Sequence, residues 1–108
     1  MTSYSNSQNI LKNSFKSVYM VGTNAIAGST ANGLWYSIDS GTTWTQSSTS
    51  TTNTLTFNSV FMVGSNAIAG GTSLWYSADS GVNWTKSASA PISNFNSVFM
   101  VGTNAIAG

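Results

Sequence analysis

General acid–base and nucleophilic chemistry need carboxylates, imidazoles or thiols that converge on one point. This 108-residue chain holds almost none: its only acidic residues are Asp39 and Asp79, and it lacks Glu, His, Cys and Arg. The two aspartates occupy the same place in two copies of one pattern. The copies are Ser37-Ile38-Asp39-Ser40-Gly41-Thr42-Thr43-Trp44 and Ser77-Ala78-Asp79-Ser80-Gly81-Val82-Asn83-Trp84. Each part of S-x-D-x-G-x-x-W has a local job. Asp accepts hydrogen bonds from backbone N–H groups of its own turn. Gly supplies a positive φ that a β-carbon would resist. Trp then lays a large apolar face on the adjoining sheet. Ser37, Asp39, Gly41 and Trp44, with Ser77, Asp79, Gly81 and Trp84, are therefore expected to be structural, and no residue is expected to be catalytic.

Other site chemistries fare little better. Tyr4, Tyr19, Tyr36 and Tyr76 have no spare carboxylate to activate them. Without His, Cys or Glu no transition-metal set can be written. Asp39 with Ser37 and Ser40 could imitate part of a calcium site, but an Asx-type turn explains the same residues, so no metal and no cofactor are expected. Gly70-Gly71 is too isolated for a phosphate loop and reads as a tight turn. Asn83-Trp84-Thr85 matches a glycosylation sequon, yet its Trp belongs to the turn pattern, and the match is taken as chance. Binding is left to the aromatics. Trp35, Tyr36, Trp75 and Tyr76 sit in matching places and are candidates for stacking on sugar rings; the alternative is that they fill space between packed sheets.

Composition narrows the partners. Hydrophobic residues make up 41 % and charged ones 5 %, so the chain can build a core and is solvated by Ser, Thr, Asn and Gly. Three scattered lysines, Lys12, Lys16 and Lys86, form neither a phosphate-neutralising stripe nor a polybasic membrane patch. No apolar run approaches the roughly 18 residues of a membrane helix, and the polar start, 1–9, lacks the apolar middle of a signal peptide. Zero cysteines leave the redox compartment open.

The elements that position these residues come from a repeat. Phe15-Lys16-Ser17-Val18-Tyr19-Met20-Val21-Gly22 returns as Phe57-Asn58-Ser59-Val60-Phe61-Met62-Val63-Gly64. It returns again as Phe95-Asn96-Ser97-Val98-Phe99-Met100-Val101-Gly102. Each copy leads into Asn-Ala-Ile-Ala-Gly, at 24–28, 66–70 and 104–108. The second unit is shorter by two residues before Leu74 and by two after Trp84, both in polar stretches that read as loops. Four short strands are expected per unit: Ser17–Val21, Ala25–Ala27, Leu34–Ser37 and Trp44–Gln46 in the first. The small residues of the second strand suggest a crowded place close to an axis. Asn32-Gly33 marks a tight turn before the third.

Four antiparallel strands in about 40 residues is the pattern of a propeller blade. Here the chain resembles a known family. The S-x-D-x-G-x-x-W turn is similar to the Asp-box, or BNR repeat, of sialidase-like β-propellers. The wider pattern looks like blades of the photosystem-assembly-factor and xyloglucanase type, over 15–108. Sialidases of that resemblance clamp a substrate carboxylate with arginines and use a tyrosine nucleophile, and this chain has no arginine to clamp with.

The expectation is an all-β chain of propeller blades: a lead segment 1–14, blades at 15–56 and 57–94, and a half blade at 95–108. Such a piece cannot close a ring alone, and closure by association with itself is expected. Two chains would supply six inner hairpins, within the usual roughly four to eight blades; a trimer using only complete blades would also reach six. The partner's Tyr4 to Leu11 is a candidate to complete a thin position. The functional expectation is a non-catalytic, self-assembling module, structural or binding, with glycans as candidate ligands. The alternative is a fragment of a larger Asp-box propeller, a glycoside hydrolase or assembly factor, with any catalytic residues outside this chain.

Overall fold

The computed structural model describes residues 15–90 and 93–108. Ten strands and one 3-10 turn follow in order. The first sheet is β1 (Phe15–Val21), β2 (Asn24–Ser29), β3 (Leu34–Ser37) and β4 (Thr45–Gln46). After a 3-10 turn at Ser50–Thr52 comes the second sheet, β5 (Phe57–Val63), β6 (Asn66–Gly71), β7 (Leu74–Ser77) and β8 (Thr85–Lys86). A hairpin of β9 (Val98–Val101) and β10 (Asn104–Ala107) ends the chain. Both four-stranded sheets are antiparallel meanders in sequence order. Their registers coincide: Val18 faces Ala27, Val60 faces Ala69 and Val98 faces Ala107. The all-β expectation holds. The expected completing segment Tyr4 to Leu11 lies outside the described residues.

Glycine sets how closely the sheets approach. A β-carbon on Gly28 would lie 3.0 Å from Phe57 Cβ, and one on Gly70 would lie 2.9 Å from Val98 Cγ1. The small residues of β2 and β6 thus mark contact between neighbouring sheets. β1, β5 and β9 also meet across the sheets, where the rings of Tyr19, Phe61 and Phe99 lie tilted against one another at 4.3 and 4.6 Å. Between the first two sheets lies the core of Ile26, Leu34, Phe57, Val60, Met62, Ala67, Ala69, Trp75 and Trp84.

Gly70-Gly71 is not the turn expected of it. Both residues belong to β6, where Gly71 faces Phe57, and the chain reverses at Thr72 and Ser73. Small size is the requirement there, since a β-carbon on Gly71 would overlap the Thr56 carbonyl oxygen. The two extra loop residues in each half of the first unit also have a joint explanation. The longer β2–β3 loop rests on the longer loop that follows the box. Gly33 N–H donates to Leu55 O at 2.9 Å, Ala31 N–H to Thr56 Oγ1 at 2.9 Å, and Gln46 Nε2 reaches Asn32 O at 2.8 Å. Two loops that hold each other up lengthen together.

Candidate functional site: the two box turns and the aromatic faces

Each box turn starts as its third strand ends in a buried serine. Ser37 Oγ donates to Asp39 Oδ1 at 2.7 Å and accepts from Gly41 N–H at 2.9 Å. Asp39 Oδ1 also accepts from Thr43 N–H at 2.9 Å, and Oδ2 accepts from the Thr43 hydroxyl at 2.6 Å. The second box repeats this, with Ser77 Oγ at 2.7 Å and Asn83 N–H at 2.9 Å on Asp79 Oδ1, and Asn83 Nδ2 at 2.9 Å on Oδ2. Gly41 and Gly81 stand at φ of 86° and 88°, where a side chain would be strained. Ser40 and Ser80, at 61° and 60°, also turn left-handed, and their N–H groups donate to Thr23 O and Ser65 O at 2.9 Å. That bond ties each box to the first hairpin turn of its own sheet. The motif then closes on tryptophan: Trp44 Nε1 donates to Gly41 O at 3.0 Å and Trp84 Nε1 to Gly81 O at 2.8 Å.

The electrostatics follow from these donors. The Thr43 hydroxyl, the Thr43 N–H and the Ser37 hydroxyl hold Asp39 down, from an ordinary 3.8 to about 2. Burial pulls Asp79 upward, but the Asn83 N–H, the Asn83 amide and the Ser77 hydroxyl outweigh it and leave its carboxyl lowered. A carboxylate so stabilised as an anion is a poor proton donor or acceptor near neutrality.

Sequence reasoning did not single out Thr43 and Asn83, which supply two of the three carboxylate bonds. The available signal was a short polar side chain four residues after each Asp. It also passed over Thr49. Thr49 Oγ1 accepts from Trp84 N–H at 2.8 Å and donates to Trp84 O at 3.3 Å, latching the first sheet's outgoing loop to the second box. The Asn83 side chain of the sequon is engaged on Asp79, and Trp84 beside it is buried.

The four candidate stacking aromatics fall in unlike surroundings. Trp35 is half-buried, donates from Nε1 to Asn32 O at 3.0 Å and meets Phe15 edge-on at 6.4 Å. Tyr36 packs half-buried against the core. Trp75 is buried, and its Nε1 has no partner, because the shorter β6–β7 loop has no counterpart of the Asn32 carbonyl. Tyr76 is 49 % exposed. Trp75 and Tyr76 line a groove of about 300 Å³ with Ile68, Leu74 and Ile106. A second hollow, of about 320 Å³, is lined by Val18, Met20, Gly41 and Trp44. Neither aspartate lines either hollow. Among the described residues no cluster of three His, Cys, Asp or Glu could hold a metal, and no helix is long and apolar enough to cross a membrane.

No family model matches the chain, and no curated protein is similar to it. Among solved structures, YCF48 bound to D1 peptide superposes with a TM-score of 0.62 over 77 % of this chain, at 20 % identity. These sheets are β-propeller blades. The chain spans 29 % of the length of the YCF48 structure.

Proposed function

We propose that this chain is the blade-forming part of a non-catalytic Asp-box propeller of the assembly-factor type, a scaffold that binds and does not turn over its ligand. The observation that carries this reading is the state of the two carboxylates. The chain's only acidic side chains are committed to neighbouring donors of their own turns, and neither lines either of the two hollows described above. A propeller ring of this kind is completed by further blades beside the ones described. The likeness to a propeller solved with a peptide favours a peptide as the bound species. A carbohydrate reading has one observation in its favour, the open face of Tyr76 above the groove it shares with Trp75.

The test is a peptide array and a glycan array probed with the same purified chain, beside an assay for hydrolysis of sialosides and other glycosides. The expected result is binding without turnover, peptides leading. Turnover that survives purification and disappears in Asp39→Asn or Asp79→Asn would overturn the non-catalytic reading.

A further inference from the structure

The peptide group between Asn32 and Gly33 is held by three bonds. Its carbonyl, Asn32 O, accepts from Trp35 Nε1 at 3.0 Å and from Gln46 Nε2 at 2.8 Å. Its N–H, on Gly33, donates to Leu55 O at 2.9 Å, across to the loop that follows the first box. Gly33 is buried and stands at φ 75°, and a β-carbon there would overlap the Thr52 carbonyl oxygen, so packing demands glycine at this place. The residue before it is asparagine, and no other asparagine of the chain precedes a glycine.

That pair has a chemistry of its own. The backbone nitrogen that follows an asparagine can attack the side-chain carbonyl, and glycine, with no β-carbon in the way, allows the closest approach. Once base has taken the Gly33 N–H proton, the nitrogen bonds to Asn32 Cγ. The Cγ–Nδ2 bond breaks, and the amide takes up a proton and leaves as ammonia. Water then opens the cyclic imide at either carbonyl, giving aspartate or an isoaspartyl link. The sum is asparagine and water to acid and ammonia.

We propose that Asn32-Gly33 is a self-deamidating site that the interlocked loops of the first blade hold unreacted. The attack needs an N–H that base can reach and a peptide group free to turn toward Cγ. Here the N–H is buried and already bonded to Leu55 O, and the carbonyl is pinned by donors from β3 and β4. Parting of the two loops frees the peptide group and starts the reaction. The change is one-way, because in the isoaspartyl form the carbonyl that Trp35 and Gln46 hold has become a free carboxylate. The second blade turns at Thr72-Ser73 and has no such pair, so the site records openings of the first blade alone. This inference does not depend on the scaffold reading.

The experiment incubates the 108-residue chain in mildly alkaline buffer, folded and in guanidinium chloride. Peptide mapping by mass spectrometry follows each asparagine, and isoaspartate is scored by its chromatographic shift. The unfolded chain should convert at Asn32 ahead of every other asparagine. The folded chain should convert there at least about tenfold more slowly, the factor that three bonds of about 0.5 kcal/mol each already give. Gln46→Leu and Trp35→Phe each remove one donor from Asn32 O. Either variant, with native circular dichroism, should convert about two- to twelvefold faster than the folded parent, as one bond of about 0.5–1.5 kcal/mol implies. Amide exchange at Gly33 reads the same lock in the parent without any substitution, and it should be slow. A folded parent that converts at Asn32 as fast as the unfolded chain would overturn the proposal. So would an unfolded chain that converts first elsewhere, natively folded variants no faster than the parent, or fast exchange at Gly33.

Discussion

Asp79→Ala isolates the work of one box carboxylate. Three donors lose an acceptor: the Ser77 hydroxyl, the Asn83 N–H and the Asn83 amide. The two Asn83 groups are exposed and turn to water, so their loss costs little. Ser77 is buried, and its proton has no other acceptor in the turn, while its oxygen still receives Gly81 N–H at 3.0 Å. Leaving that buried donor unmet costs about 1–3 kcal/mol, a sizeable share of the roughly 5–15 kcal/mol of a whole domain. The sign of the pH dependence follows from the lowered carboxyl. The folded value lies below the ordinary 3.8, so the carboxylate's contribution is fully present above about 3.8 and fades as pH falls through the folded value. Urea unfolding followed by tryptophan fluorescence, at neutral pH and again near pH 2, reads both quantities. The variant should be less stable by about 1–3 kcal/mol at neutral pH, and the gap should narrow in acid. A variant as stable as the parent at neutral pH, or a gap unchanged by acid, would refute the reasoning.

Other perturbations follow from single contacts. Trp35→Phe breaks the bond to Asn32 O and should cost about 0.5–1.5 kcal/mol more than Trp75→Phe, which removes a buried N–H that has no partner; equal losses in urea unfolding would count against this. Gly71→Ala forces a methyl group into the Thr56 carbonyl and should lower the thermal midpoint steeply or abolish soluble protein, whereas an unchanged melt would show that β6 can shift. Thr49→Val leaves Trp84 N–H without its acceptor across the blade boundary. It should raise amide exchange at Trp84 while leaving the first box protected.

Much of the fold was written in the repeat. The strand Leu34–Ser37 has the bounds its composition suggests, and the S-x-D-x-G-x-x-W pattern contained most of the turn's chemistry. What was hidden is hidden for physical reasons. Val18 and Val60 stand in the same motif, and no local property tells which of them has a neighbouring sheet; burial belongs to the assembly of blades. Gly70-Gly71 reads as a turn by dipeptide statistics, but the demand at Gly71 is the passing Thr56 carbonyl, which only the fold brings near. Trp35 and Trp75 look equivalent until the two-residue difference in the preceding loop removes one hydrogen-bond acceptor. Small size in β2 signalled crowding, and the crowding at Gly28 comes from the neighbouring sheet's Phe57, which local sequence does not identify.

The central claim is that both carboxylates are held as anions by their own turns and are spent on structure. Asp39 and Asp79 are the only acidic side chains, so a carbon-13 NMR titration of the chain resolves just two side-chain carboxyls. Both should titrate below 3.8, with Asp39 at about 2. Either one titrating at or above its ordinary value would mean that its turn does not hold it, and would return that aspartate to the list of groups able to do chemistry.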